Sequence, residues 1–150
     1  IKFEHETRTS LECERKDKEL CDVVAVTARS AQLYKNQLFP EFKSLRDVES
    51  WCRDKCIIDV GSGVNTLYDK SFISSLAKKN IGRHVLGVDL EKLPKHDARF
   101  KQHVSFIQGN IMTLSRKKLG LPKKCKTVVL INNLLYLWID KPAQLKKAYN

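Results

Sequence analysis

The chain has 150 residues, of which 42% are apolar and 30% charged, a composition typical of one globular domain with a substantial core. No apolar run approaches the roughly 20 residues of a membrane-spanning helix, so we expect no membrane span. The five cysteines are odd in number and lack framework spacing. They predict reduced thiols in an intracellular, cytoplasmic protein, without a disulfide scaffold or a metal site.

The net charge of +11 is unevenly distributed along the chain. Residues 1–56 carry equal numbers of basic and acidic groups, whereas residues 57–150 hold 17 Lys and Arg against 6 Asp and Glu. An excess of this sign favours anionic partners such as RNA, and the basic residues of 92–126 are the candidate contacts. The alternative is a solvated, lysine-rich surface that serves solubility.

In chain order, the first predicted unit is a helical extension over residues 1–55. After a charged lead-in, apolar and small residues between positions 20 and 34 fall at helical spacing, which predicts an amphipathic helix. Pro40 interrupts this pattern, because the residue before a proline is biased away from helical backbone. Apolar residues between positions 45 and 52 predict a second, shorter helix.

From residue 56 the pattern changes to short, near-continuous apolar runs, which are typical of strands covered on both faces. Residues 65–80, between the first two runs, carry an apolar helical face. Strands that alternate with helical linkers predict a doubly wound, mostly parallel α/β sheet, which we assign to a second domain over 56–150. The predicted strands are 56–60, 84–90, 104–109 and 127–132.

A polar residue or a glycine pair stands at the carboxyl end of each predicted strand. Because parallel strands end at the same edge of a sheet, we expect these groups to face one crevice, where doubly wound proteins bind ligands. In strand order they are Asp59 with Gly61 and Gly63, then Asp89 with Glu91, then Asn110, then Asn132 with Asn133.

The glycine pair in the segment DVGSGVN favours a close approach of the backbone to a ligand, since glycine adopts positive φ and carries no Cβ. One such ligand is a nicotinamide dinucleotide, which uses G-x-G-x-x-G and an acidic residue about 20 positions later. Here Thr66 stands at the third glycine position, and Asp89 follows Gly61 by 28 residues. Both observations disfavour a nicotinamide-dependent oxidoreductase.

The stretch IIDVGSGVN closely resembles the first motif of class I S-adenosylmethionine-dependent methyltransferases, in which an acidic residue stands two positions before a G-x-G. Three later stretches, VLGVDLE, FIQGNI and VVLINNLLYLW, resemble the next motifs of that family in the same order. The resemblance covers roughly residues 56–145. It implies a Rossmann-like fold, S-adenosyl-L-methionine as cofactor and methyl transfer as the activity.

The resemblance also implies roles for single residues. Asp89 would accept hydrogen bonds from the two ribose hydroxyls, because both oxygens of a carboxylate are acceptors. Leu90 would pack on the adenine, and Asn110 would bind its exocyclic amine. Asn132 or Asn133 would lie near the sulfonium, as candidate catalytic residues. The residues on the methionine part of the cofactor would be Asp59, Gly61, Ser62 and Gly63.

The chain departs from the family pattern in several ways. Asn65 stands where members often have a third glycine, Asn110 replaces the usual Asp, and no Asn/Asp-Pro-Pro-Tyr motif follows the fourth strand. Strands five to seven of the usual fold are absent, so a partner chain or a further C-terminal half would complete the sheet. A second hypothesis is therefore a catalytically inactive, methyltransferase-like subunit that binds RNA or a protein through its basic surface.

Overall fold

The computed structural model describes residues 29–93 and 102–131. The helices there are α1 (Ala31–Leu38), α2 (Leu45–Cys52) and α3 (Phe72–Lys78), with a 3-10 helix (Gly63–Thr66) before α3. The strands are β1 (Lys55–Val60), β2 (His84–Asp89), β3 (Ser105–Gln108) and β4 (Lys126–Ile131). All four predicted strands are confirmed, and their ends differ from the prediction by at most one residue.

The four strands form one parallel sheet with the order β3-β2-β1-β4. β1 is central, and its Asp59 lies opposite Gly87 of β2 and Leu130 of β4. An open parallel sheet with flanking helices is a Rossmann-like α/β fold, so the predicted fold class is confirmed. The strand order reverses beside β1, which places the expected ligand crevice at the carboxyl ends of β1 and its neighbours.

The predicted helices at the start of the chain are confirmed in part. Ser30 has an extended backbone (ψ 158) and its hydroxyl caps α1, so a continuous helix from position 20 to 34 is wrong; residues 1–28 lie outside the described residues. α1 ends at Leu38, two residues before Pro40, and α2 occupies the second predicted position. In the described ranges, no helix has the length and apolar character needed to cross a membrane.

The helix predicted over 65–80 begins later than expected. After β1 the chain first forms the 3-10 helix Gly63–Thr66, and α3 starts only at Phe72. The physical reason is Ser71, whose hydroxyl accepts a hydrogen bond from the Ser74 amide at 3.2 Å and so caps α3.

The sheet separates two hydrophobic clusters. The first lies on the helical side, where Tyr34 of α1, Val48 of α2 and Phe72 of α3 pack with Ile57 and Leu130 of the sheet. Helices α1 and α2 therefore share one core with β1, although they belong to the predicted N-terminal extension. The division into two domains stays a prediction.

The second cluster covers the opposite face of the sheet. Ile58 of β1 and Leu86 and Val88 of β2 pack there against Leu119. The chain between positions 111 and 121 covers this face with turns and has no regular helix. Apolar side chains of this segment cover the face of the sheet in place of the usual crossover helix.

One disulfide corrects the prediction of reduced thiols. Cys56, in β1, is bonded to Cys125, just before β4, with their Cα atoms 6.0 Å apart. Spacing along the chain could not show this pair, because 69 residues separate its members and only the pairing of β1 with β4 brings them together. Cys52 is a free, buried thiol as predicted. Cys13 and Cys21 lie outside the described residues, and the cytoplasmic location stays a prediction.

Candidate functional site

The glycine turn after β1 folds over the end of β2. Gly61 and Gly63 both have positive φ, at 70° and 47°, which is costly for residues with a Cβ. The Gly61 amide donates to the Val88 carbonyl oxygen at 2.7 Å, and the Ser62 amide donates to the same atom at 3.3 Å. A Cβ at position 63 would lie 3.4 Å from Oδ2 of Asp89. The turn therefore brings a bare stretch of backbone against the Asp89 carboxylate.

Asp89 ends β2 as a half-buried carboxylate with spare acceptor capacity. Its Oδ1 accepts a hydrogen bond from the Glu91 amide at 3.1 Å, the one side-chain bond of Asp89 within the described ranges, and a carboxylate has about four acceptor positions. The backbone around it is fixed from β3, since the Gly109 amide donates to the Asp89 carbonyl oxygen at 2.8 Å. Asp89 is thus placed to accept two further donors, such as a pair of neighbouring hydroxyls.

Leu90 follows with 64% of its surface exposed. Nε2 of Gln108, the last residue of β3, donates to the Leu90 carbonyl oxygen at 3.1 Å and holds this part of the chain. The exposed leucine offers an apolar surface to a flat ring that is joined to a hydroxyl-bearing group at the Asp89 carboxylate. Gln108 was not singled out from the sequence, because a glutamine near a strand end carries no distinctive signal.

Asp59 is fully buried beneath the turn. The Tyr34 hydroxyl, from α1, donates to its carboxylate at 3.0 Å to Oδ2 and 3.3 Å to Oδ1. Burial raises the pKa of Asp59 to about 7, the Tyr34 hydrogen bond lowers it, and the nearby Asp89 charge raises it. The Tyr34 hydroxyl therefore binds the Asp59 carboxylate in this structure, and the expected contact with a ligand's ammonium group stays a prediction.

Ser62 and Thr66 pack the loop onto β2 across Gly87. Their hydroxyl oxygens are 3.0 Å apart and both side chains are buried. A Cβ at position 87 would lie 2.6 Å from each of these oxygens, so only glycine fits there. The Ser62 side chain is thus used against β2, while its amide donates to Val88 and its carbonyl oxygen accepts the Asn65 amide at 2.9 Å. Its predicted contact with a cofactor stays a prediction. The signal for Gly87 in the sequence is a lone glycine inside a predicted strand.

Thr66 stands at the position that a dinucleotide-binding protein fills with its third glycine, where helix and strand approach closely. Here the approach is made by the Gly87 backbone, and Thr66 fills the space with no exposed surface. The loop and β2 therefore pack closely because the glycine is Gly87 on the strand, while the loop supplies the Thr66 side chain. This arrangement explains how the turn folds without the G-x-G-x-x-G pattern.

The backbone at position 65 does not require the glycine that members of the resembling family often have there. It lies in the 3-10 helix. Among the described residues, Asn80 and Lys124 are the non-glycine residues with positive φ, so Asn65 has ordinary backbone geometry. Its buried Oδ1 accepts a hydrogen bond from the Arg29 amide at 2.7 Å.

The structure brings four of the predicted residues together: Gly61, Gly63, Asp89 and Leu90. Asn110 lies just beyond β3, where its Oδ1 accepts the Met112 amide at 2.9 Å and shapes a tight turn. Its amide nitrogen adds two donors at an exposed position. The predicted catalytic candidates Asn132 and Asn133 lie outside the described residues.

The predicted basic surface is described in part. Lys92 follows β2 and is exposed, whereas Lys95, Arg99 and Lys101 lie outside the described residues. The part before β4 lies at the end of the sheet opposite the glycine turn. Lys126 begins β4 and lies opposite Lys55, the first residue of β1, so the preceding segment sits at the amino ends of the strands. Four exposed lysines there form what we call the lysine surface: Lys117, Lys118, Lys123 and Lys124. Arg116 is used differently, since its guanidinium donates to the carbonyl oxygens of Pro122 and Cys125 at 3.3 and 3.5 Å.

Comparisons with models of protein families, with curated proteins and with solved structures gave no match for this chain. Within residues 29–93 and 102–131, no group of three or more His, Cys, Asp or Glu side chains is placed to hold a metal ion. The fold class therefore follows from the sheet itself, and the ligand has to be inferred from the chemistry of the turn.

Proposed function

We propose that this chain is the cofactor-binding part of a class I S-adenosylmethionine-dependent methyltransferase. The observation that carries the proposal is the contact between the glycine turn and Asp89, with the exposed Leu90 next to it. A bare backbone, a carboxylate and an apolar surface at one edge match the three parts of the cofactor, which are an amino acid, a ribose and an adenine. The order of the four sequence motifs supports the same ligand.

In this proposal each part of the cofactor meets a different element. The backbone of Gly61 and Gly63 lies along the methionine part, and Asp89 accepts the ribose hydroxyls. Leu90 packs on the adenine, and Asn110 offers amide groups to its polar edge. The cofactor supplies a methyl group on a sulfonium, which a substrate nucleophile attacks in line. The protein contributes mainly position and a fixed electrostatic environment.

The charges at this edge suit a cationic ligand. Asp59 and Asp89 are the carboxylates at the ends of β1 and β2, and the Asp89 charge raises the pKa of Asp59. A ligand with an ammonium and a sulfonium would relieve that repulsion, because opposite charge nearby favours the ionised carboxylate. A pyrophosphate is disfavoured at this edge, because its negative charge would meet both carboxylates.

The proposal is tested with variants of Asp89, by calorimetric titration of S-adenosylmethionine. A hydrogen bond to a charged group contributes about 1.5–3 kcal/mol, so Asp89→Ala should weaken binding by at least about 10-fold to 100-fold, the loss expected from one such bond. Asp89→Asn keeps one acceptor oxygen and should fall between Ala and wild type. Asp69→Ala, which removes an exposed carboxylate 4.0 Å from Lys78, is the matched control and should bind as wild type. Equal affinity in all four proteins would refute the assigned role of Asp89.

The substrate class in this proposal is RNA or another anionic molecule. The lysine surface supports it, because none of its four lysines forms an ion pair with a residue of the described ranges. This surface lies at the amino ends of the strands, away from the glycine turn. It is therefore suited to hold a phosphate backbone at a distance from the reacting atoms.

The same observation favours a second candidate function, an inactive methyltransferase-like subunit that binds RNA. A titration of an RNA oligonucleotide at several salt concentrations separates the two. We expect Lys117→Gln, Lys118→Gln and Lys123→Gln together to reduce the slope of log K against log salt by about one for each lysine that contacts phosphate. Lys43→Gln with Lys70→Gln, both exposed, is the control. RNA binding without S-adenosylmethionine binding would favour the second candidate.

A further inference from the structure

The chain just before and within α1 is tied to the glycine turn and its flanks at three points. The Arg29 amide donates to Oδ1 of Asn65 at 2.7 Å, and the Ala31 amide donates to the Lys70 carbonyl oxygen at 2.9 Å. The Tyr34 hydroxyl donates to the Asp59 carboxylate. Two of these contacts end on side chains that are at least 97% buried, since Asn65 is 3% and Asp59 0% exposed.

Asn65 joins this segment to the start of α3 as well. Its carbonyl oxygen accepts hydrogen bonds from the hydroxyls of Ser71 at 2.6 Å and Ser74 at 3.1 Å, while its side-chain oxygen accepts from Arg29. A glycine at this position would keep the carbonyl contacts and lose the contact to Arg29. The residue that departs from the family pattern is thus the one that makes the bond between the turn and the N-terminal segment.

We propose that Asn65 and Tyr34 are positioning residues, which couple the docking of α1 to the ligand-binding form of the turn at 61–66. Neither residue need contact the ligand: Asn65 acts through the loop backbone, and Tyr34 acts through Asp59. The proposal rests on the proposed function, because the ligand of the turn is taken to be S-adenosylmethionine.

The physical reason is the cost of a buried acceptor without a donor. If α1 leaves the sheet, the side-chain oxygen of Asn65 and the carboxylate of Asp59 lose their donors. The turn between these residues must then rearrange so that both groups can be hydrated. A ligand that binds only the ordered turn then favours docked α1, and docked α1 favours the ligand to the same extent, since coupling between two binding events is reciprocal.

The experiment measures S-adenosylmethionine affinity by calorimetry and backbone amide hydrogen exchange over 31–38 and 61–66. The variants are Asn65→Ala, Asn65→Gly and Tyr34→Phe, in the full-length protein. Ser44→Ala is the control, because it removes the cap of α2 and so destabilises the helical layer without touching the turn. We expect each of the three variants to weaken binding about 10-fold and to speed exchange at 61–66, and Ser44→Ala to do neither.

Two further readouts separate positioning from a general loss of stability. Asn65→Gly restores the family's residue, so binding equal to or tighter than wild type would overturn the coupling. Cofactor affinity should rise as Asp59 ionises. In Tyr34→Phe this rise should occur at higher pH than in wild type, because the lost hydrogen bond lowered the pKa of Asp59. Among the described residues, Tyr34 and Asp89 are the ionisable groups that act on the pKa of Asp59, and its register neighbours Gly87 and Leu130 carry no ionisable side chain.

The outcomes distinguish the coupling from the proposed function. If wild type does not bind S-adenosylmethionine, the proposed function is refuted. Amide hydrogen exchange in the ligand-free proteins then tests whether the docking of α1 is coupled to the turn. Faster exchange at 61–66 in Asn65→Ala and Tyr34→Phe, but not in Ser44→Ala, supports it. The coupling is overturned if exchange at 61–66 in these variants matches that in Ser44→Ala. It is also overturned if wild type binds S-adenosylmethionine and the variants bind it with the same affinity.

Discussion

Thr66, on the loop after β1, lies directly against Gly87 in the middle of β2, so closely that a Cβ at position 87 would stand 2.6 Å from the threonine hydroxyl oxygen. This contact fixes the distance between the glycine turn and the strand that ends in Asp89. It therefore sets the spacing of the two parts of the candidate site.

Gly87→Ala tests that contact. The added methyl group must displace Ser62 and Thr66, both buried, and overpacking of this kind costs about 1–3 kcal/mol. We expect a loss of that size in the free energy of unfolding, measured with urea, together with weaker cofactor binding. Gly109→Ala is the matched control, because the atoms nearest to its Cβ would be those of the Leu114 side chain, at 3.2 Å and beyond. A Gly87→Ala protein as stable as Gly109→Ala would contradict the account.

The buried Asp59 predicts a specific dependence of stability on pH. Its pKa rises from the ordinary aspartate value of 3.8 to about 7 in the fold, so the folded state holds a proton that the unfolded state has released. The stability that this bound proton contributes is complete below the unfolded-state pKa and is lost as pH rises through the folded-state pKa of about 7. Between these values stability should fall by at most about 1.4 kcal/mol per pH unit.

Asp59→Asn should remove that slope, because an amide does not titrate. The measurement is the free energy of unfolding of both proteins from pH 4 to pH 8, with Asp69→Asn as the control for an exposed carboxylate. Identical slopes for wild type and Asp59→Asn would show that Asp59 is ionised throughout and would contradict the assigned burial.

The disulfide between Cys56 and Cys125 should stabilise the pairing of β1 with β4. Closing a loop of 69 residues restricts the unfolded chain, and the chain-entropy estimate for a loop of that length is about 4 kcal/mol. We expect a reducing agent to lower the free energy of unfolding of wild type by up to that amount. The Cys56→Ala, Cys125→Ala double variant should be insensitive to the same agent. A wild type that is also insensitive would show that the bond does not form in solution.

Arg116 should act on stability and its neighbour Lys117 on binding. The Arg116 guanidinium holds the turn before β4 through the carbonyl oxygens of Pro122 and Cys125, and hydrogen bonds from a charged group contribute about 1.5–3 kcal/mol. Arg116→Ala should therefore lower the free energy of unfolding by about 1 kcal/mol or more, after allowance for the exposed position. Lys117→Ala should leave stability unchanged and weaken RNA binding. The reverse pattern would contradict the division of roles.

The sequence was sufficient for the sheet because its short, near-continuous apolar runs alternate with helical segments, a pattern typical of a parallel sheet. The glycine turn and the acidic residue after β2 were also predictable, since glycines and carboxylates at strand ends are visible in the chain. The start of α3 was misplaced because Ser71 is one serine among several, and its role as a cap depends on the path of the loop.

The remaining features depend on contacts between distant parts of the chain. Tyr34 meets Asp59 across 25 residues, and Cys56 meets Cys125 across 69. Asn65 looked like a defect in a motif, whereas its side chain holds the N-terminal segment. Local patterns cannot reveal such pairs, because the fold that creates them is set by the whole sheet.

The most direct test of the central claim is a parallel calorimetric titration of wild-type protein with S-adenosylmethionine and with NADH. The turn beside Asp89 predicts saturable binding of S-adenosylmethionine and none of NADH. Binding of NADH, or of neither ligand, would contradict the proposal that this edge of the sheet is an S-adenosylmethionine site.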